Sequence, residues 1–207
     1  MLNKLKRIFL PKKAPGFSHY LTLDGWLTEA EAMGLHDVAA LLAPGSNVLE
    51  IGSWKGKSTW CIAHGLKKGT IHCIDPFNAA GEEGSKEVYE KTKGEISLLQ
   101  QFKNNLQAAP RTAVLEILKG YSSDYVGRVK NIDFLFIDGD HSIEGCRFDF
   151  ENYAPAVKVG GFVAFHDYYP DRHDLGPTWV IDEVLRKDSQ YTHYRDYDSL
   201  CVFRKNV

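Results

Sequence analysis

The 207-residue chain contains no Cys-x-x-Cys pair. Its four cysteines, Cys61, Cys73, Cys146 and Cys201, are scattered, and three of them sit inside apolar runs. That excludes a disulfide framework and predicts buried thiols in a reducing compartment. A secretory signal is missing, and no apolar run approaches eighteen residues, so a soluble, cytoplasmic protein is expected. There is no excess of either charge: 25 Lys and Arg against 27 Asp and Glu leave a net −2, which argues against nucleic acid as a partner. Internal repeats and low-complexity segments are absent. What remains, 43% hydrophobic and 25% charged, describes a globular chain long enough to bury one sizeable core. The exception to charge balance is the N-terminus, where Lys4, Lys6, Arg7, Lys12 and Lys13 precede any acid before Asp24. Interleaved with Leu2, Leu5, Ile8, Phe9 and Leu10, they read either as a frayed basic tail stopped by Pro11 and Pro15 or as a short helix in weak contact with a membrane surface. Residues 1–24 are therefore set apart as tail and lead-in, and 25–207 as the domain.

Thr28 followed by Glu31 predicts a capping box, opening an amphipathic helix (Ala30, Met33, Val38, Leu41, Leu42) that ends before Pro44-Gly45. Its lead-in, with His19, Tyr20, Asp24 and Trp26, either closes over a ligand or packs. Beyond it, strand-like runs at 47–51, 70–74, 113–118, 132–137 and 160–165 alternate with helical stretches at 57–67, 85–108, 122–129 and 142–157. This alternation predicts βαβ units in a doubly wound, mostly parallel α/β sheet, with ligands at the carboxyl ends of its strands. A helix near 177–187 leads to two further runs, Tyr191–Arg195 and Leu200–Phe203. Four residues between them are too few for a crossover, so these runs complete seven strands as an antiparallel hairpin. The segment 78–84 with Gly81, Gly84 and Gly94 reads as a lid over a substrate or as a surface insertion.

The stretch from Asn47 to Thr59 is a strand, a glycine turn and a helix start. Gly52 and Gly56 let backbone approach a ligand, but Gly-x-x-x-Gly is not the Gly-x-Gly-x-x-Gly that cradles a pyrophosphate. Asp75, followed by Pro76, ends the second strand about twenty residues on, where a carboxylate can take both hydroxyls of a ribose. Ser122 follows the third strand, as a ligand contact or as a helix N-cap. The strongest local signal is Ile132–His141: an apolar strand delivering Asp138, Asp140 and His141 at its carboxyl end. The fifth strand ends in His166-Asp167. So many ionisable groups at adjacent strand ends are costly to bury unless they serve a site. The following Tyr168, Tyr169, Arg172, His173 and Trp179 either line an acceptor pocket or pack.

The glycine turn resembles motif I of the class I S-adenosylmethionine (SAM)-dependent methyltransferases. From about Gly25 to Phe203 the chain is similar to the small bacterial O-methyltransferases related to the catechol, caffeoyl-coenzyme A and macrocin enzymes, in the branch with Asp-Gly-Asp-His-Ser and Phe-His-Asp strand ends. The resemblance implies a Rossmann-like methyltransferase fold in which Glu50, Gly52, Ser53, Gly56, Ser58, Asp75, Pro76 and Ser122 hold SAM. It implies a divalent metal, Mg or Mn, on Asp138, His166 and Asp167, and proton removal by His141 or by Asp138 or Asp140. Two departures matter. His166-Asp167 replaces an Asp-Asn pair and shifts the donor set toward nitrogen, while His141 replaces a lysine with a base whose ordinary pKa is about 6.5. The implied function is O-methylation of a small hydroxylated acceptor such as a sugar or secondary metabolite. Two rivals stand beside it: a metal-dependent hydroxylase on the same sheet, like proteins known as cephalosporin hydroxylases, and a non-catalytic SAM-binding partner in glycan assembly. The oligomeric state is left open, an oligomer being allowed.

Overall fold

A computed structural model of the protein describes residues 16–80 and 86–207. The basic segment 1–13 and the glycines at 81 and 84, on which the tail and lid expectations rest, lie outside the described residues. Among those described, no helix is long and apolar enough to cross a membrane.

The first long helix, α1 (Glu29–Leu41), opens with the expected capping box: Thr28 Oγ1 accepts the Glu31 N–H and the Glu31 carboxylate accepts the Thr28 N–H. Strand β1 (Ser46–Ile51), helix α2 (Lys57–Gly65) and strand β2 (Gly69–Asp75) follow. The region expected as one helix over 85–108 is two, α3 (Lys86–Thr92) and α4 (Leu98–Asn105). The break lies where Gly94 takes φ +79 and Ser97 caps α4 through the Gln100 N–H.

Strand β3 (Ala113–Lys119) leads into a short 3-10 turn, Ser122–Tyr125, instead of the helix expected over 122–129. Gly127 at φ +77 follows it, which a right-handed helix does not accommodate. Then come β4 (Ile132–Ile137), α5 (Ile143–Tyr153), β5 (Val157–Phe165), α6 (Gly176–Glu183), β6 (Tyr191–Tyr197) and β7 (Leu200–Lys205). Helix α5 stops four residues short of its expected end because Pro155 lies in the 3-10 turn that follows, and β5 begins earlier than its glycine pair suggested.

The sheet order is β3-β2-β1-β4-β5-β7-β6, parallel except for β7, which runs antiparallel to β5 and β6. This is the seven-stranded, doubly wound sheet with a closing hairpin that the alternation and the short last turn required. One buried cluster joins α1, α2 and α4 to one face, through residues such as Leu35, Ile62 and Phe102. A second joins α5 and α6 to the other, through Cys146, Phe150 and Val180. The winding therefore reverses between β1 and β4, and the crevice it opens at their carboxyl ends is where open α/β sheets take ligands. All four cysteines are buried free thiols.

Candidate active site

A cavity of about 810 Å³ occupies that crevice. Its floor is the β1 turn. Gly52 has φ +90, its N–H donates to the Ile74 carbonyl, and a Cβ there would stand 1.9 Å from the Asp138 carbonyl oxygen. Only glycine lets β1 and β4 deliver their following loops so close together. Six of the eight residues expected to hold cofactor line the cavity: Gly52, Ser53, Ser58, Asp75, Pro76 and Ser122.

Glu50 and Gly56 are placed elsewhere. Gly56 turns into α2 against Leu106 and Phe102. Glu50 is fully buried beneath the turn, where its carboxyl accepts hydrogen bonds from Ser53 Oγ (2.8 Å) and Thr59 Oγ1 (2.5 Å). Burial pushes its pKa up to about 7 against those hydroxyls, and that of Ser58. Glu50 thus braces the loop from below. Asp75 faces the cavity: its two oxygens accept N–H bonds from Trp54 (2.8 Å) and Phe77 (2.6 Å), each in the left-handed region with φ near +50. Burial raises its pKa and the backbone N–H groups oppose the rise.

The reactive cluster is built by backbone register. The Asp138 N–H donates to Ile51 O and the His166 N–H to Ile137 O, so the ends of β1, β4 and β5 are level. Asp167 adopts φ +58 immediately after β5, which turns its carboxylate toward β4. His141 Nε2 then lies 3.2 Å from Asp167 Oδ2 and 3.6 Å from Asp138 Oδ1. One donor atom from each of Asp138, His141 and Asp167 lies within 4.8 Å of the others, a set able to take one divalent cation. One nitrogen and two carboxylates suit Mn, Fe or Zn as well as Mg. His141 joins Asp138 and Asp167 in this set, and His166, the ligand expected from the sequence, also lies against both carboxylates.

Asp140 is not part of this set. Its Oδ1 accepts the Ser142 N–H (2.8 Å) and shapes the turn into α5, although it also lines the cavity.

His166 is 4% exposed and held by carboxylates on both sides. Its Nδ1 is 3.1 Å from Asp138 Oδ1 and 3.5 Å from Asp167 Oδ2, while its Nε2 is 3.3 Å from Glu31 Oε2. Burial works against the charged ring, but Asp138, Asp167 and Glu31 outweigh it and hold the pKa well above that of ordinary histidine. These neighbours favour the protonated ring. Its charge offsets the repulsion between Asp138 and Asp167. Asp167 is in turn held well below the usual carboxylate range: burial opposes this, and the bonds to His141 and His166 prevail.

The residue that sequence reasoning missed is Glu31. Beyond capping α1, it accepts from the Ser199 N–H (3.1 Å) and Ser199 Oγ (2.6 Å) in the β6–β7 turn. Burial pulls its pKa up, but His166 and Ser199 bring it down to about 2. Its capping-box position explained it fully at the sequence level, so nothing there marked a second role. Of the aromatic groups expected around an acceptor, Trp26 and Tyr169 line the cavity, as does Asp24. Tyr168 and Trp179 pack on the α5–α6 face, and Tyr20 is buried beside Phe17. Trp54 and Tyr89, not singled out in the sequence, complete an aromatic wall with Trp26, ring centroids 5.0–5.8 Å apart.

The same fold occurs in TomG of Streptomyces achromogenes, an O-methyltransferase involved in tomaymycin synthesis and solved with SAM: TM-score 0.63, 17% identity, covering 96% of this chain and 93% of that one. It occurs also in an O-methyltransferase of Bacillus cereus solved with S-adenosylhomocysteine (SAH): TM-score 0.58, 15% identity, covering 96% and 94%. In sequence, an uncharacterised protein of Acanthamoeba polyphaga mimivirus is 31% identical over 150 residues, which is 72% of this chain and 63% of that protein. The chain thus spans less than two thirds of that relative's length. A family model described as a methyltransferase domain matches residues 49–168, from β1 through the His166-Asp167 strand end. With the glycine turn, Asp75 and the Asp138–His141–Asp167 cluster all inside that match, this chain belongs to the methyltransferase-domain family.

Proposed function

We propose that the protein transfers a methyl group from SAM to a hydroxyl oxygen of a small acceptor, such as a sugar or a secondary metabolite. The observation that carries this reading is the placement of Asp138, His141 and Asp167 in one cavity with the glycine turn and Asp75. SAM would supply a sulfonium methyl, an electrophile needing only an aligned nucleophile. The turn at 52–54 and Asp75 would hold the methionine and ribose portions, fixing the direction of approach. His141 Nε2, steadied by Asp167, is placed to receive the acceptor's hydroxyl proton as the oxygen–carbon bond forms and the carbon–sulfur bond breaks, leaving SAH. Such proton transfer contributes roughly 10²–10⁴-fold. A divalent cation on Asp138, His141 and Asp167 would be the alternative to that base: it would occupy the Nε2 lone pair and would itself supply Lewis acidity, lowering the pKa of a hydroxyl bound beside it. Trp26, Trp54 and Tyr89 offer an apolar wall to the rest of the acceptor.

The test is SAM turnover against a panel of phenols and glycosides, followed by mass spectrometry of the methylated product. Turnover should fall in excess chelator and return with Mg or Mn, and Asp138→Asn should abolish that recovery while SAH binding persists. Oxygen uptake with Fe(II), without SAM consumption, would replace this reading with the hydroxylase one. SAH binding with no turnover of any acceptor would favour the non-catalytic partner.

A further inference from the structure

The closing hairpin carries a second group of metal-capable side chains, which the cavity does not use. His193 and Asp196 are on β6 and Cys201 is on β7; each offers one donor atom, and the three atoms lie within 4.8 Å of one another. None of the three lines the cavity.

An irregularity of the strand brings them together. Successive side chains of a strand alternate between faces, so residues three apart ordinarily point opposite ways. Here His193 pairs with Phe203 but Arg195 pairs with Val202, which leaves Tyr194 as an extra residue in β6. The bulge turns His193 onto the same face as Asp196. Asp196 stands directly opposite Cys201, and Phe203 is two residues farther along β7, so the trio shares the face that carries α5 and α6. The His193 ring meets the Phe203 ring edge-on, centroids 5.5 Å apart at 76°, and its Nε2 is 2.8 Å from Asp196 Oδ1.

An imidazole nitrogen, a carboxylate oxygen and a sulfur together are a donor set that suits zinc. Tetrahedral bonds of about 2.0–2.3 Å place donor atoms about 3.3–3.8 Å apart. The His193–Asp196 contact therefore opens by roughly half an ångström on binding, a shift within reach of two exposed side chains. Burial first, then Asp196, pushes the Cys201 thiol's pKa up, with Arg186 opposing, so the sulfur keeps its proton until a cation joins it. Binding releases that proton to solvent. Arg186 is itself bonded to Asp182 (3.0 Å) and to Tyr168 Oη (3.2 Å), and the Asp182 carboxylate offsets its charge.

We propose that His193, Asp196 and Cys201 form a zinc site on the β6–β7 hairpin, with water completing the tetrahedron. The site is independent of the methyl-transfer reading. The ion bridges the two strands whose turn presents Ser199 to Glu31.

The experiment titrates the untagged, reduced, metal-free full chain with Co(II), a spectroscopic substitute for Zn(II). A thiolate ligand gives a charge-transfer absorption that nitrogen and oxygen ligands do not, which separates this site from Asp138, His141 and Asp167. Saturating Co(II) should produce the band, and Zn(II) should displace it. Cys201→Ser should abolish the band, and Asp138→Asn should leave it intact. His193→Ala, at an exposed side chain that leaves the core untouched, should weaken Co(II) by at least the roughly 10–100-fold that losing an outer partner of a ligand costs. No band in the wild type at saturating Co(II), a result that needs no variant, would overturn the proposal. So would a band that persists in Cys201→Ser, is lost in Asp138→Asn, or keeps its full affinity in His193→Ala.

Discussion

Replacing Glu31 by Gln keeps the shape of the side chain and removes its charge. Gln has one amide oxygen, so it can accept from Ser199 or from the Thr28 N–H but not both, and the perturbation falls on the pairing with His166, whose Nε2 is 3.3 Å away, together with one of those bonds. The carboxyl titrates at about 2 in the fold against 4.5 ordinarily. At about 1.4 kcal/mol per pKa unit, that difference corresponds to about 3 kcal/mol of stability at neutral pH. The loss expected on removing one partner of a buried ion pair is similar, about 3–5 kcal/mol. The sign follows from a folded pKa below the unfolded one. The stability is fully present above 4.5 and is lost as pH falls toward about 2. Urea unfolding of wild type and Glu31→Gln should therefore differ by about 3 kcal/mol at pH 7 and by about half of that or less at pH 3. In a thermal melt at pH 7 the gap should appear as a midpoint lowered by about 6–12 °C. A gap below about 1 kcal/mol at pH 7, or one that is the same at pH 7 and pH 3, would refute the account of Glu31 as the buried counter-ion of His166.

Two further outcomes are expected. Asp75→Ala should weaken SAH binding by about 1–3 kcal/mol in calorimetry, the usual cost of losing hydrogen bonds to a charged group; unchanged affinity would remove Asp75 from the cofactor site. Gly52→Ala should abolish SAH binding and lower the melting temperature, since its Cβ would stand 1.9 Å from the Asp138 carbonyl oxygen and its φ is +90; a variant that melts and binds like wild type would show that the β1–β4 contact is not as tight as described.

The polar groups gathered at the strand ends around the cavity were legible in the sequence. An apolar run followed by a glycine, an Asp-Pro or an Asp-Gly-Asp-His places its polar residues at the carboxyl edge of a parallel sheet, whatever the rest of the chain does. Gly52, Asp75, Asp138, His141 and Asp167 were found in this way. The errors over 85–108 and 122–129 share a cause: hydrophobic spacing does not reveal where Gly94 and Gly127 take positive φ.

The sequence by itself determined the order of strands and helices, the antiparallel ending and the chemical types gathered at the crevice. These depend on periodicity and on the few residues between runs, which are local properties of the chain. Only the tertiary structure decided that His166 meets a third carboxylate besides Asp138 and Asp167. That carboxylate is Glu31, more than a hundred residues away in sequence, brought beneath β5 by the packing of α1 and fixed there by Ser199 in the last turn. A carboxylate's influence on an imidazole falls off steeply with distance and solvent exposure. The surroundings of His141 and His166 therefore come from packing, because neither residue's own neighbours in the chain distinguish them.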